Sequence, residues 1–216
     1  MNDVKELLRL PAPAPRPQAL AFDGSTLWMG SIETDRLYAI NPTHWTARDE
    51  GAVPGKPWGM TVMGDELRIV CGEGADDARV IRRYIPGHGF HADGAIACPD
   101  DTGSHLAFDG DRLYLSQWYN KRILSLDESG AIGSVIALPH EICGIVVADA
   151  HIYALTTDDE RSNDYWLTRI DARGATPVIQ DLVRIPFHAR ALAYDGARFW
   201  TNHREQHEIV AFERPA

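Results

Sequence analysis

The sequence lacks the long apolar run that a membrane-spanning helix requires, and it lacks an excess of positive charge. Its 216 residues include 31 acidic and 21 basic side chains, which gives a formal net charge of −10. A negative field of this kind repels nucleic-acid backbones and anionic membrane surfaces. We therefore expect no nucleic-acid partner and no membrane partner.

Cysteines are also scarce, and their spacing is irregular. The three cysteines, Cys71, Cys98 and Cys143, fit neither a disulfide framework nor a CxxC metal motif. The N-terminal stretch MNDVKELLRLPAPAPRPQ lacks the basic start, apolar centre and small-residue cleavage site of a signal peptide. We therefore expect reduced thiols and a cytoplasmic location, while the sequence leaves the oligomeric state open.

What the sequence does contain is a repeated hairpin pattern. LAFDGSTLW, LAFDGDRLY and LAYDGARFW begin at Leu20, Leu106 and Leu192. Alternating apolar positions around turn residues favour strands over helices. The large apolar residue after the turn recurs in five units, at Leu27, Leu67, Leu113, Ile152 and Phe199.

Each unit has four candidate strands, and the fourth tends to end in proline, a residue that suits an outermost strand because an edge position can spare a backbone donor. The fifth unit shows no fourth strand after its third, and ELLRLP, ending at Pro11, precedes the first unit. A β-propeller closes its ring with such an offset, which leaves no unpaired edge there. The prolines that end the other fourth strands are Pro54, Pro99, Pro139 and Pro186.

The sequence therefore predicts an all-β fold, a five-bladed β-propeller closed by pairing of the N-terminal strand with the last blade. A two-sheet sandwich also has short strands and Gly-rich turns, but it has no reason for five matched units or for the terminal offset. We expect a single domain over residues 1–216. Its blades are expected at about 18–54, 55–99, 100–139, 140–186, and 187–216 plus 1–11.

The residues that lead into the inner strands differ among the units, and in a propeller they surround one mouth of the central channel. We expect residues two apart on a strand to point the same way, here toward the mouth. The rim ring, seven residues before the aligned turn position, comprises Arg16, Lys56, Thr102, Glu141 and His188. The inner ring, five residues before it, comprises Gln18, Trp58, Ser104, Cys143 and Arg190. His105 alone interrupts a ring of small residues that otherwise holds Ala19, Gly59, Gly144 and Ala191.

Loops between the second and third strands bring Glu73, Gln117, Trp118 and His203 to the same mouth. Cations, carboxylates, imidazoles and indoles together predict a pocket for a small polar molecule, although solvated rims are polar as well. The candidate acid/base residues are His105, Glu141 and His188, and we expect His105 to titrate near neutrality. The candidate substrate-binding residues are Arg16, Lys56, Trp58, Gln117, Trp118, Cys143, Arg190 and His203.

Other motifs are weaker. The acidic run TTDDERSND, which starts at Thr156, lacks the glycine and the closing glutamate of a calcium loop, so we interpret it as a solvated loop. The chain contains no GxSxG motif, no P-loop and no GxGxxG motif in the right context.

The stretch FDGDRLYLSQWYNKRILSLDESGAIGSVIALP, from Phe108 to Pro139, resembles a blade of the streptogramin B lyases and NHL-type propellers. The chain also resembles plant-type glutaminyl cyclases in its number of blades. The lyase resemblance implies a histidine and a metal-holding glutamate at the mouth, with a divalent cation such as Mg²⁺ as cofactor and Glu73 as its ligand. At the entry positions, the chain has Glu141-x-Cys143 and His188-x-Arg190 rather than a Glu-x-His pair.

Two functions from different classes follow. The first is an enzyme of the lyase, cyclase or hydrolase type that acts on a small polar molecule through acid/base residues at the channel mouth, with or without a divalent metal. The alternative is a non-catalytic propeller that binds a ligand or a protein.

Overall fold

The computed structural model describes residues 1–174 and 176–215, which form five four-stranded antiparallel sheets. The predicted all-β, five-bladed propeller is confirmed. No helix in the described ranges is long and apolar enough to cross a membrane. Residues 175 and 216 fall in the expected fourth and fifth blades and lie outside the described residues, and the single-domain division stays a prediction.

The five first strands contact one another around the channel, and each sheet extends outward from its first strand. The chain begins with β1 (Glu6–Pro11). Blade 1 then contains β2 (Pro17–Phe22), β3 (Leu27–Ser31), β4 (Arg36–Asn41) and β5 (Thr46–Ala52). Blade 2 contains β6 (Lys56–Met63), β7 (Glu66–Glu73), β8 (Ala78–Ile85) and β9 (Gly89–Ala97).

The remaining blades repeat this order. Blade 3 contains β10 (His105–Phe108), β11 (Leu113–Gln117), β12 (Arg122–Leu126) and β13 (Ile132–Ala137). Blade 4 contains β14 (Glu141–Ala148), β15 (His151–Thr157), β16 (Tyr165–Asp171) and β17 (Val178–Ile185). Blade 5 contains β18 (Ala189–Tyr194), β19 (Arg198–His203) and β20 (Glu208–Glu213), with β1 as its outermost strand.

The N-terminal strand closes the ring as the sequence predicts. β1 pairs antiparallel with β20, and Leu10 lies opposite Ile209. The Arg9 guanidinium binds the Glu208 carboxylate at 2.6 Å across the same pair of strands. The backbone donors and acceptors of β20 are therefore satisfied on both sides, which removes an edge that other chains would otherwise join.

The aspartate of the repeated Asp-Gly turn accepts hydrogen bonds from residues of its own hairpin, a cap that explains why an aspartate recurs there. Asp195 Oδ1 accepts the backbone N–H groups of Ala197 at 3.0 Å and Arg198 at 2.8 Å, and its Oδ2 accepts the Trp200 indole N–H at 2.8 Å. Burial of Asp195 opposes ionisation, but hydrogen bonds from Arg198 and Trp200 outweigh it, so the pKa lies below its usual range. The same cap recurs at Asp23, with the indole of Trp28, and at Asp109, with the hydroxyl of Tyr114.

Small residues are needed where neighbouring inner strands meet at the channel. A Cβ atom placed on Gly59 would lie 2.5 Å from the Cα atom of His105, and one on Gly144 would lie 2.6 Å from the backbone carbon of Ala191. These distances are too short for non-bonded atoms, so the inner strands approach this closely only because those positions carry glycine.

Candidate functional site

Four of the five inner strands carry a β-bulge near the mouth, where the pairing register shifts by one residue or more. In three blades the skipped residue is the inner-ring residue itself, namely Gln18, Trp58 or Cys143. A bulge re-aims a side chain and breaks strict alternation. The strict alternation behind the prediction that both rings point the same way is therefore interrupted at Gln18, Trp58 and Cys143.

Blades 3 and 4 are joined at the mouth by the side chains of Trp118 and Glu141. Trp118 directly follows β11, and its indole N–H donates a hydrogen bond of 2.9 Å to Oε2 of Glu141, the first residue of β14. The Oε1 atom of Glu141 accepts no hydrogen bond from the described residues, and the side chain is half-buried. The contact therefore holds one oxygen of the carboxylate and leaves the other available.

Arg190 of β18 lies against this pair. Its guanidinium carbon is 4.8 Å from the ring centre of Trp118 and 5.4 Å from that of Tyr165, and its Nη1 donates to the Tyr165 hydroxyl at 2.6 Å. Arg190 is only 3% exposed. Among the described residues, the nearest carboxylate is that of Glu160, 3.9 Å away and beyond hydrogen-bond distance. Arg190 is thus a buried cation without a hydrogen-bonded carboxylate, an arrangement that is costly unless something else balances the charge.

Trp58 forms a second stack on the blade 2 side of the mouth. The Arg79 guanidinium carbon lies 4.1 Å from the centre of the Trp58 ring, and the Trp58 indole N–H donates to Asp77 Oδ1 at 3.0 Å. Arg79 also binds the other oxygen of Asp77 at 2.8 Å and the carbonyl oxygen of Gly103 at 2.8 Å. This indole is therefore fixed by its neighbours and presents a rigid wall.

His105, a candidate base at the centre of the ring, is buried and close to both arginines. Burial, followed by the charges of Arg190 and Arg79, lowers the pKa of His105 to about 3. The expectation that His105 titrates near neutrality is therefore wrong, because the imidazole stays neutral at pH 7.

The side of the mouth between blades 5 and 1 contains further guanidinium groups. Arg204 donates to Gln18 Oε1 at 3.2 Å and to Glu205 Oε1 at 3.0 Å. Arg16 lies close enough for its charge to act on Arg204, and its backbone N–H donates to His207 Nδ1 at 3.0 Å. Burial, followed by the charges of Arg190 and Arg16, both expected at the mouth, lowers the pKa of Arg204.

Two of the expected binding residues, Gln117 and Cys143, are buried inside the protein. Gln117 is buried, and its amide nitrogen donates to the carbonyl oxygens of Pro99 at 2.7 Å and Thr102 at 3.1 Å. Its amide oxygen accepts from Arg122 at 2.6 Å. Cys143 is buried as well, and burial raises the pKa of its thiol to about 12. The hydrogen bonds of Gln117 and the burial of Cys143 indicate that both residues stabilise the fold.

The remaining expected residues, Lys56, His188 and His203, make no hydrogen bond and no ion pair with Arg190, Trp118 or Tyr165 among the described residues. Lys56 is exposed, and no side-chain hydrogen bond or ion pair involves it among the described residues. His188 Nε2 lies 3.2 Å from the carbonyl oxygen of Arg161. The ring of His203 packs 5.1 Å from that of Phe187, and His203 Nδ1 accepts the backbone N–H of Gln206 at 3.1 Å.

Glu73 does not fit a magnesium site. Arg82 donates to both of its carboxylate oxygens, at 2.7 and 2.8 Å. Across residues 1–174 and 176–215, no group of three His, Cys, Asp or Glu side chains is arranged to hold a metal ion. A carboxylate whose charge is already paired with a bidentate guanidinium is a poor ligand for the cation that the lyase resemblance implies.

Four residues of the site were not predicted from the sequence, namely Arg79, Tyr165, Glu160 and Arg204. Arg79 and Tyr165 occupy the position two residues before the first large apolar residue of the third strand, where the other blades carry Asp35, Lys121 and His207. Aligning the third strands would have revealed this ring. Glu160 belongs to the acidic run that we interpreted as a solvated loop, yet its carbonyl oxygen accepts the Tyr165 hydroxyl at 3.1 Å and its carboxylate lies beside Arg190.

No protein-family model matches the chain, and no curated protein matches it. Solved structures do resemble it. The PQQ-bound aldose sugar dehydrogenase from Streptomyces coelicolor has a TM-score of 0.65 at 14% identity, covering 98% of each chain.

Two further structures correspond to the resemblances seen in the sequence. A catalytically inactive virginiamycin B lyase from Staphylococcus aureus with quinupristin has a TM-score of 0.56 at 15% identity, covering 95% of this chain and 83% of that one. A glutaminyl cyclase from Myxococcus xanthus has a TM-score of 0.52 at 15% identity, covering 72% of this chain and 94% of that one. The predicted similarity to such lyases and cyclases is confirmed at the level of the fold.

Proposed function

We propose that the protein is a small-molecule enzyme of the lyase, cyclase or hydrolase type, with Glu141 as the group that transfers a proton at the channel mouth. The observation that carries this proposal is the placement of the Glu141 carboxylate. Trp118 holds its Oε2 atom, and its Oε1 atom accepts no hydrogen bond from the described residues. A carboxylate fixed on one side and open on the other suits a general acid or base.

The surroundings of Glu141 support this role. The indole of Trp118 borders the carboxylate, and the Arg190 guanidinium lies over that indole, so the mouth presents an aromatic and a cationic surface there. In an elimination, Glu141 would accept the proton from the carbon adjacent to the one that bears the leaving group, and the leaving group would depart with its bonding electron pair. In a hydrolysis, Glu141 would accept a proton from the attacking water. Propellers of this fold hold small molecules in the lyase and dehydrogenase structures, which contain quinupristin and PQQ.

Two other residues take different parts in the proposed reaction. His105, with a pKa of about 3, is neutral at pH 7 and is not the proton acceptor in this scheme. Cys143 is not a nucleophile in this scheme, because burial disfavours its thiolate. Proton transfer therefore rests on Glu141.

A non-catalytic binding propeller is the second candidate. It is favoured by the extent to which the mouth residues bind one another, as in the contacts of Arg190 with Tyr165 and of Trp58 with Asp77. Such a mouth recognises a ligand without requiring any group to change its protonation state.

The test is a survey of small polar molecules incubated with the protein, in which mass spectrometry detects both binding and chemical change. For any compound that is transformed, Glu141→Gln should lower turnover by about 100-fold or more. Glu128→Gln, an exposed substitution outside the mouth, is the matched control and should leave turnover unchanged. Wild-type turnover in Glu141→Gln would refute the role of Glu141, and binding without transformation would favour the second candidate.

A further inference from the structure

Two guanidinium groups of blade 5 flank one cross-strand pair at the mouth, because Arg190 directly follows Ala189 and Arg204 directly follows His203, which pair with each other. Arg190 is 3% exposed, and the side chain of Arg204, which follows β19, is 18% exposed. Burial, followed by the charge of Arg190, lowers the pKa of Arg204. Like charges held together away from water repel each other more strongly than on the surface, so this pair calls for a compensating anion.

The carboxylates beside these guanidinium groups compensate them weakly. Glu160 lies 3.9 Å from Arg190 and is 49% exposed, and Glu205 lies 3.0 Å from Arg204 and is 46% exposed. Ion pairs of half-exposed side chains are weak, because water screens the charges, so either carboxylate can turn toward solvent at a modest cost. A ligand anion can therefore take their place.

Unpaired polar atoms lie on the same side of the mouth. Asn202 is fully buried, and neither its amide nitrogen nor its amide oxygen has a hydrogen-bond partner among the described residues. Its place in β19 is opposite Arg190 in the strand pairing. Buried amides are rarely left without partners in native proteins, so an unpaired one indicates a group that is satisfied in another state.

The direction of the Asn202 side chain follows from its neighbour in the strand. Trp200, two residues earlier, stacks on Trp45 of blade 1 with 6.1 Å between the ring centres, and it belongs to the same core cluster as Leu20 and Leu27. Since alternate residues of a strand share a face, Asn202 also faces blade 1, the side on which Gln18 binds Arg204. The Nε atom of Arg16, on the same side, is also buried without a partner among the described residues.

We infer that the ligand carries an oxyanion group, either a carboxylate or a phosphate. This inference rests on the proposed function, in which the mouth is the ligand site. The oxyanion group binds between Arg190 and Arg204, with the amide N–H of Asn202 as a further donor. Guanidinium forks bind oxyanions through paired hydrogen bonds, and this geometry selects such groups over halide ions. Binding displaces the carboxylates of Glu160 and Glu205 toward solvent.

The experiment titrates the whole protein with citrate and with inorganic phosphate at a constant ionic strength set by sodium chloride. The melting temperature and the tryptophan fluorescence are recorded, because Trp118 lies against Arg190. We expect at least one of the two anions to raise the melting temperature and change the fluorescence beyond the effect of chloride, and the stronger one identifies the class of oxyanion. Identical effects of all three salts would overturn the inference.

Three variants locate the binding. Arg204→Gln should weaken it by about tenfold or more, as expected for losing a charge-assisted contact of roughly 1.4 kcal/mol. Glu205→Gln should strengthen it. The matched control, Arg198→Gln, removes another guanidinium of blade 5, one that stacks on Trp200 and pairs with Asp195 at the hairpin turn. Equal losses in Arg204→Gln and Arg198→Gln would overturn the inference.

Failure of this inference and failure of the proposed function give different results. If Glu141→Gln abolishes turnover while neither citrate nor phosphate binds, the oxyanion site is wrong and the enzyme proposal stands. If an oxyanion binds and Arg204→Gln removes that binding, but no compound is transformed, the oxyanion site stands and the enzyme proposal is wrong.

Discussion

The indole N–H of Trp118 donates a 2.9 Å hydrogen bond to the carboxylate of Glu141, across the boundary between blades 3 and 4. This contact links an aromatic wall of the mouth to the candidate proton-transfer group. The Arg190 guanidinium of blade 5 lies over the same indole. The relative positions of three blades therefore determine the geometry of the site.

Removal of the indole N–H tests Trp118 as a positioning residue. Trp118→Phe keeps an aromatic ring but no longer holds Glu141, so kcat should fall by about tenfold, less than the loss in Glu141→Gln, with KM little changed. Trp166→Phe is the control, because no hydrogen bond of its indole N–H occurs among the described residues. A change confined to KM would contradict a positioning role.

His105 should not titrate in the physiological range. Because burial and two neighbouring arginines lower its pKa to about 3, its imidazole NMR signals should stay constant between pH 5 and pH 8. His44, which is exposed, provides a comparison within the same spectra. A titration midpoint of His105 inside that range would show that the imidazole is accessible to solvent and available as a base.

The Asp-Gly caps should contribute to stability. In Asp195→Asn, the new amide N–H₂ group would face the N–H donors of Trp200 and Arg198, so the free energy of unfolding at pH 7 should fall by about 1–3 kcal/mol. Urea denaturation measures this change. Asp65→Asn is the control, because Asp65 lies in the equivalent turn of blade 2 but makes no side-chain hydrogen bond among the described residues.

The same substitution should alter the dependence of stability on pH. The folded-state pKa of Asp195 is lowered, so its stabilising contribution is present above the unfolded pKa of about 3.9 and is lost as the pH falls through the folded value. The difference in stability between wild type and Asp195→Asn should therefore shrink below about pH 4. A difference that stays constant from pH 7 to pH 3 would contradict an ionised cap.

Removal of the closing strand should destabilise the ring. Deletion of residues 1–11 leaves β20 with an unpaired edge, so the melting temperature should fall or the protein should aggregate. A synthetic peptide spanning residues 1–11, added in trans, should reverse part of the loss. An unchanged melting curve after the deletion would contradict closure by β1.

Much of the fold could be predicted from the sequence, because hairpin patterns repeat and each blade buries the same positions. The Asp-Gly turns at Asp23, Asp109 and Asp195 marked three of the hairpins, and the placement of Pro11 revealed the closing strand. Local turn chemistry and strand alternation determine these features, so they can be recognised without knowledge of tertiary contacts.

The site was less predictable, since its contacts cross blade boundaries. The positions of Trp118, Glu141 and Arg190 near one another followed from aligning the blades, but their mutual contacts did not. The pKa of His105 depends on burial and on two arginines from other blades, which no local pattern reveals. The β-bulges also escaped prediction, because an extra residue in a strand leaves no regular mark on the sequence.

The central claim is that the channel mouth is the ligand site. Saturation-transfer NMR with small acids, both carboxylic acids and phosphate monoesters, each matched to its neutral amide, tests this claim most directly. Signals should transfer to acids in preference to their amides, disappear in Arg204→Gln, and persist in Arg198→Gln, whose side chain pairs with Asp195 at the hairpin turn. Transfer that is lost in Arg198→Gln but retained in Arg204→Gln would contradict the account and place the ligand elsewhere.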